Sequence, residues 1–127
     1  MPIIAEIIKK FRFEAAHYLP CVPEDHPCHR MHGHSYKVTV SVMGPIDEKM
    51  GWVMDLNELS EAFAPLAKVL DHTLLNEIEG LENPTGENVA LWIFRSLEKS
   101  IPLLSSVTLE ATNRIAITIH KKHTIHL

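Results

Sequence analysis

His32-Gly33-His34-Ser35-Tyr36-Lys37-Val38-Thr39-Val40-Ser41-Val42 is the stretch from which the fold of this chain is read. Tyr36, Val38, Val40 and Val42 share one side, and Lys37, Thr39 and Ser41 the other. That period of two is the pattern of a half-buried strand, and Gly44-Pro45 ends it. If Gly33-His34 already opens the strand, His32 and His34 leave the backbone on the same side. Gly33 between them allows close approach of the backbone to an ion. Imidazole nitrogen suits zinc, copper, nickel or iron, and zinc is the commonest choice for a redox-silent site.

Two His ligands are too few, and His17 is the best third donor. It follows Phe11-Arg12-Phe13-Glu14-Ala15-Ala16, and its parity continues that of Ile3, Ala5, Ile7, Phe11 and Phe13, with Lys9 the exception. Residues 3–13 read as a strand, with His17 just beyond its apolar face. Three His ligands leave a position open for water or substrate, the arrangement of catalytic zinc. Cys28 stands four residues ahead of His32 and has two readings. As a fourth ligand it closes a structural site; as a free thiol beside a cation it is a reactive group of lowered pKa. It lies in an irregular loop over residues 19–31 that holds Pro20, Pro23 and Pro27.

Downstream, Asp55-Leu56-Asn57-Glu58 has capping-box spacing and starts a helix. Its apolar stripe is Leu56, Leu59, Phe63, Leu66 and Leu70, with Pro65 expected to kink it. Thr85 caps a second helix with Val89, Trp92, Ile93, Leu97 and Ile101 as its buried stripe. Core packing is the expectation for both Trp52 and Trp92. Two strands close the chain as an antiparallel hairpin, residues 107–112 and 115–120. The order ββααββ implies one α+β domain over residues 1–127, a four-stranded antiparallel sheet with two helices on one face.

The 127 residues fit one domain, and 46% hydrophobic with 22% charged residues is ordinary for a globular chain. A net charge of −4 gives no basic footprint for nucleic acid. No stretch reads as a signal peptide or membrane span, and two cysteines are too few for a disulfide framework. A cytoplasmic protein without a membrane partner is expected. Asp71-His72 at the end of the first helix is either a His at the negative helix pole or a proton-transfer pair. Adjacent side chains tend to point apart, so the two need not bond each other. Glu110 falls on the polar side of its strand, where a solvated carboxylate is the ordinary reading.

Together these stretches resemble the 6-pyruvoyltetrahydropterin synthase superfamily. The matching runs are Phe13-Glu14-Ala15-Ala16-His17, Cys28 with His32-Gly33-His34, Gly51-Trp52-Val53-Met54-Asp55, Leu70-Asp71-His72, Leu75-Asn76 and Gly80-Leu81-Glu82-Asn83-Pro84-Thr85. The short gap from Cys28 to His32 and the run from Leu70 to Thr85 look like its 6-carboxy-5,6,7,8-tetrahydropterin synthase branch, on the route to queuosine. The resemblance implies the tunnelling fold and a homohexamer made of two stacked trimers. It implies Zn2+ on His17, His32 and His34, with Cys28, Asp71 and His72 as the catalytic group. It implies Glu110 as anchor of the pterin ring, with Glu87 in the same pocket. The implied activity is a zinc-dependent lyase acting on 7,8-dihydroneopterin triphosphate, releasing acetaldehyde and triphosphate. Pyruvoyl-forming or aldolase-type pterin chemistry, a pterin-binding protein without activity, and a non-catalytic zinc-stabilised module are the alternatives. Arg30 and Lys122 are candidate phosphate partners. The chain departs from the family at Gly86, where Ser or Thr is usual, at His29, and in a His-rich tail over residues 120–127.

Overall fold

The computed structural model describes residues 3–121; Lys122 and most of the His-rich tail lie outside them. Strands β1 (Ala5–His17) and β2 (His32–Gly44) pair antiparallel along their whole length. β4 (Leu104–Glu110) adds to β2, and β5 (Ala116–His120) adds to β4. Helices α1 (Leu56–Leu70) and α2 (Gly86–Glu98) lie between the two halves of the sheet in sequence.

One strand was not anticipated. β3 (Thr73–Leu74) pairs parallel with β1, so the sheet has five strands in the order β3-β1-β2-β4-β5 and is mixed. The expected four-stranded antiparallel sheet is corrected on both points. Two residues pairing with a distant strand leave no periodic pattern in their own sequence.

The alternation in β1 and β2 orders the layers. Phe13, Ala15, Tyr36, Val38, Val40 and Val42 are buried in one core with Val107 and Leu109 of β4. Leu59, Phe63 and Leu70 of α1, and Val89, Ile93 and Leu97 of α2, fill the same core. Both helices therefore cover one face of the sheet, here the inner face, and Phe63 stacks on Phe11 at 4.1 Å between ring centres. Burial of each such side chain stabilises by about 1.5–3 kcal/mol. Lys9, the break in the pattern, donates to Ser60 Oγ at 2.5 Å rather than entering the core. The caps fall where their side-chain chemistry predicts. Asp55 accepts from the Asn57 amide at 2.9 Å, and Thr85 accepts from the Asn88 amide at 3.1 Å. α1 runs as one helix across the exposed Pro65.

Two core expectations are corrected. Leu56 is 46% exposed because it sits on the first turn, beyond the packed stripe. Trp52 is 39% exposed in the connection before α1, whereas Trp92 is half-buried against the core.

Candidate metal and thiol site

The strand pairing builds the histidine cluster. His17 ends β1 directly opposite His32, which begins β2; His34 follows two residues later on the same side. One donor atom from each ring lies within 4.8 Å of the others. All three belong to the inner face, at the end of the sheet where the helices leave a cavity.

Two of the rings are oriented by backbone carbonyls. His17 Nδ1 is 2.8 Å from the Pro84 carbonyl, and His32 Nδ1 is 2.7 Å from the Arg30 carbonyl. A carbonyl only accepts, so both Nδ1 atoms carry the proton and both Nε2 atoms present a lone pair. Those Nε2 atoms are 2.9 Å apart. Two lone pairs at that distance repel unless a cation or proton lies between them. Four ligands at 2.0–2.1 Å around tetrahedral zinc stand roughly 3.3 Å apart. The donor set and its orientation therefore fit a metal ion, which His17, His32 and His34 would hold. Burial holds the His17 and His34 pKa values below the ordinary imidazole value, with neighbouring imidazoles adding to the effect; at His17 the Pro84 bond partly opposes it. The neutral, metal-binding form is thus favoured.

Sequence inspection missed the two orienting carbonyls. A backbone acceptor carries no residue-type signal, although Asn83-Pro84-Thr85 stands out as a turn. Asn76 ties the residue before that turn to the strand end: its side chain accepts from the Tyr18 amide at 3.1 Å and donates to the Tyr18 carbonyl at 2.9 Å and to the Glu82 carbonyl at 3.4 Å.

Cys28 is placed by its loop. The Leu19 amide donates to the Cys28 carbonyl at 2.8 Å, and the Cys28 amide donates to His26 Nδ1 at 3.0 Å. A short 3-10 turn over Pro27–His29 holds it there. Cys28 is half-buried and lines a cavity of about 430 Å³ with His17, His32, His34 and Glu87. Leu109, Ile115 and Ile117 form an apolar wall of the same cavity. His17, His32 and His34 are the set of convergent donor atoms found among the described residues, and Cys28 is not in it.

Asp71 and His72 lie elsewhere. His72 lines a groove on the outer face with Glu14, Ala16, Gly33 and Ser35, residues whose parity is opposite to that of His17 and His34; Ala15 and His34 also border it. The two side chains do bond each other, His72 Nδ1 to Asp71 Oδ2 at 2.9 Å. Adjacent side chains need not meet, and the reason that these two do is local. His72 has φ +58°, a left-handed conformation rare for a residue with a side chain. Glu14 fixes the turn: its amide donates to Asp71 Oδ1 at 2.8 Å, and its carbonyl accepts from the His72 amide at 2.5 Å. The Glu14 amide and then the His72 ring hold the Asp71 carboxyl below the usual carboxylate range. Glu110 sits on the outer face too, in a smaller cavity with Arg12, Ser35 and Lys37. Within one chain the predicted residues therefore fall into three groups: the imidazoles with Cys28 and Glu87, the Asp71–His72 turn, and Glu110.

Comparisons with known proteins agree on the kind of molecule. The family model described as 6-pyruvoyl tetrahydropterin synthase matches residues 6–122. The chain is 44% identical over 107 residues to a 6-carboxy-5,6,7,8-tetrahydropterin synthase of Synechocystis sp., covering 80% of this chain and 81% of that protein. It is 39% identical over 98 residues to a dihydroneopterin monophosphate aldolase of Pyrococcus furiosus, covering 77% and 79%. The solved 6-pyruvoyl tetrahydropterin synthase of Caenorhabditis elegans superposes with a TM-score of 0.88 at 26% identity, covering 95% of this chain and 98% of that one.

Proposed function

The chain belongs to the 6-pyruvoyl tetrahydropterin synthase family, and from that premise we propose a specific member activity. It is a pterin-processing lyase. Its reaction is the conversion of 7,8-dihydroneopterin triphosphate and water to 6-carboxy-5,6,7,8-tetrahydropterin, acetaldehyde and triphosphate, in the cytoplasm and on the queuosine route. The observation that carries the reading is the set of three converging imidazoles with Cys28 in the same cavity. The 44% identity to a protein named for that product supports the choice of branch.

His17, His32 and His34 hold the metal, which we take to be zinc. Bound there, zinc supplies Lewis acidity toward the hydroxyls of the pterin side chain. The remaining work falls to the chain itself. The Pro84 and Arg30 carbonyls fix the proton of two of the rings on Nδ1 and leave Nε2 facing inward. Cys28, as thiolate, moves the proton at the side-chain carbon. The apolar wall of Leu109 and Ile117 keeps water from the ring.

His72, held by Asp71, is the second acid–base group. It faces away from the Cys28 cavity in its own chain. The homohexamer, a dimer of trimers, resolves this: the pair serving each Cys28 is Asp71 and His72 of the partner subunit. Exposed apolar residues on the outer face, Ile8 and Met43 among them, support burial of that face in an assembly. Glu110 anchors the pterin ring by accepting from its amino and ring N–H groups. Glu87 lines the cavity that holds Cys28 and the three imidazoles, and is the further pocket residue of this reading.

A second reading has its own support, the 39% identity to an aldolase acting on a monophosphate. Mass analysis after incubation with dihydroneopterin triphosphate and, separately, its monophosphate decides. 6-Carboxytetrahydropterin with acetaldehyde is the expected outcome. A hydroxymethyl pterin with glycolaldehyde phosphate would establish the aldolase instead.

A further inference from the structure

Gly86 opens α2, directly after the Thr85 cap. The backbone does not require it: the glycines with positive φ among the described residues are Gly51 and Gly80. Space does. A Cβ at residue 86 would lie 2.3 Å from Ile117 Cδ1, far inside contact distance, but 3.8 Å from Ile117 Cγ1. The end of the Ile117 side chain is therefore seated in the recess that glycine leaves.

Both residues line the cavity that holds Cys28 and the three imidazoles. Ile117 is half-buried, packs against the core and stands opposite Leu109 in the β4–β5 ladder. With the core filled on one side, the free volume open to a displaced Cδ1 is the cavity itself. A side chain at 86 thus displaces the end of Ile117 within the cavity that Cys28 also lines. We infer that the Gly86–Ile117 contact sets the width of the passage to Cys28. Residue 117 is then a specificity-determining residue for flat, bicyclic ligands lying on the apolar wall. The ligand class rests on the proposed function; the gating geometry does not.

The test reads the passage without turnover. The zinc-loaded full chain is treated with iodoacetamide at fixed pH, and alkylation of Cys28 and Cys21 is followed by peptide mass. Cys21 is exposed and acts as the internal control. Gly86→Ala should lower the Cys28-to-Cys21 rate ratio about tenfold. Ile117→Val removes Cδ1 and keeps Cγ1 at its ordinary contact distance, so Gly86→Ala with Ile117→Val should return the ratio to the wild-type value. Ile117→Val alone should raise it, which keeps the test open if Gly86→Ala does not fold. KM for dihydroneopterin triphosphate should rise about tenfold in Gly86→Ala and recover in the double variant, with kcat little changed. A ratio unmoved by Gly86→Ala, or one not rescued by Ile117→Val, overturns the gate. A ratio that moves as stated in a protein that leaves the triphosphate untouched upholds the gate and removes the substrate assignment.

Discussion

Two histidine-bearing regions of this molecule are built on opposite principles. His17 and His32 are oriented by carbonyls on the inner face of a strand pair, and with His34 they form a partly buried cluster. His72 stands on an exposed turn, its side chain 78% accessible, and is oriented by a carboxylate. A carbonyl fixes the tautomer and leaves the far nitrogen as a lone pair, which suits a metal ligand. A carboxylate stabilises the imidazolium, which suits a proton carrier. The residue type is the same; the partner of Nδ1 differs, and with it the chemistry each ring is suited to.

The largest break in this comparison comes from His32→Ala. Removing one of three protein ligands should release most of the zinc and lower turnover by about a thousandfold or more. Metal content of the purified variant checks it, and full retention would exclude His32 as a ligand. His72→Ala should by contrast leave zinc in place.

Cys28→Ala comes next. Loss of a positioned acid–base group costs about 10²–10⁴-fold in rate, and a drop of roughly a hundredfold or greater is expected. Zinc content and melting temperature should stay near the wild-type values, because the three imidazoles converge without the thiol. Loss of zinc with a large fall in melting temperature would make Cys28 a fourth ligand of a structural site.

What the sequence made legible follows from which signals are local. Strand β2 was readable because one face is buried along its length, so Tyr36 to Val42 alternate without a break. His17 was readable because its parity continues from Phe13 and Ala15. β3 was not readable, since Thr73 and Leu74 become a strand only by meeting Ala15 and Ala16. Nor was the left-handed turn at His72, which depends on Glu14, far away in the chain. Parity placed Glu110 on the polar side, but which cavity that side faces is a tertiary fact. The family resemblance supplied a single catalytic group; the geometry divides it between two faces of the sheet.

That division gives the third prediction. Cys28→Ala and His72→Ala should each be nearly inactive alone. Unfolded together, mixed in equal amounts and refolded, they form mixed assemblies in which some sites combine an intact Cys28 with an intact His72 of the partner subunit. Random mixing makes that about one site in four. Recovery of about a quarter of the wild-type rate is expected. No recovery, in a mixture that light scattering shows to be a hexamer, would mean that both groups serve a site within one chain. A monomer at micromolar concentration would remove the assembly itself.

The smallest effect separates the two regions by pH in the metal-free protein. Burial, and then the neighbouring rings, depress the His17 and His34 pKa values. An unfolded histidine titrates near 6.5, so below about that pH the unfolded chain binds more protons than the folded one. The stability from these two groups is therefore complete above pH 6.5 and declines as the pH falls toward their folded values. Asp71 is depressed as well, but its ordinary value lies near 3.9, so its contribution is lost only below about pH 4. Melting temperature of the apoprotein should fall by a few degrees between pH 7 and pH 5, and the slope should be shallower in His34→Asn. Asp71→Asn should leave that window unchanged and flatten the curve only below pH 4. A melting temperature constant from pH 7 to pH 5 would show that burial does not hold His17 and His34 neutral, and the contrast between the partly buried cluster and the exposed turn would lose its physical basis.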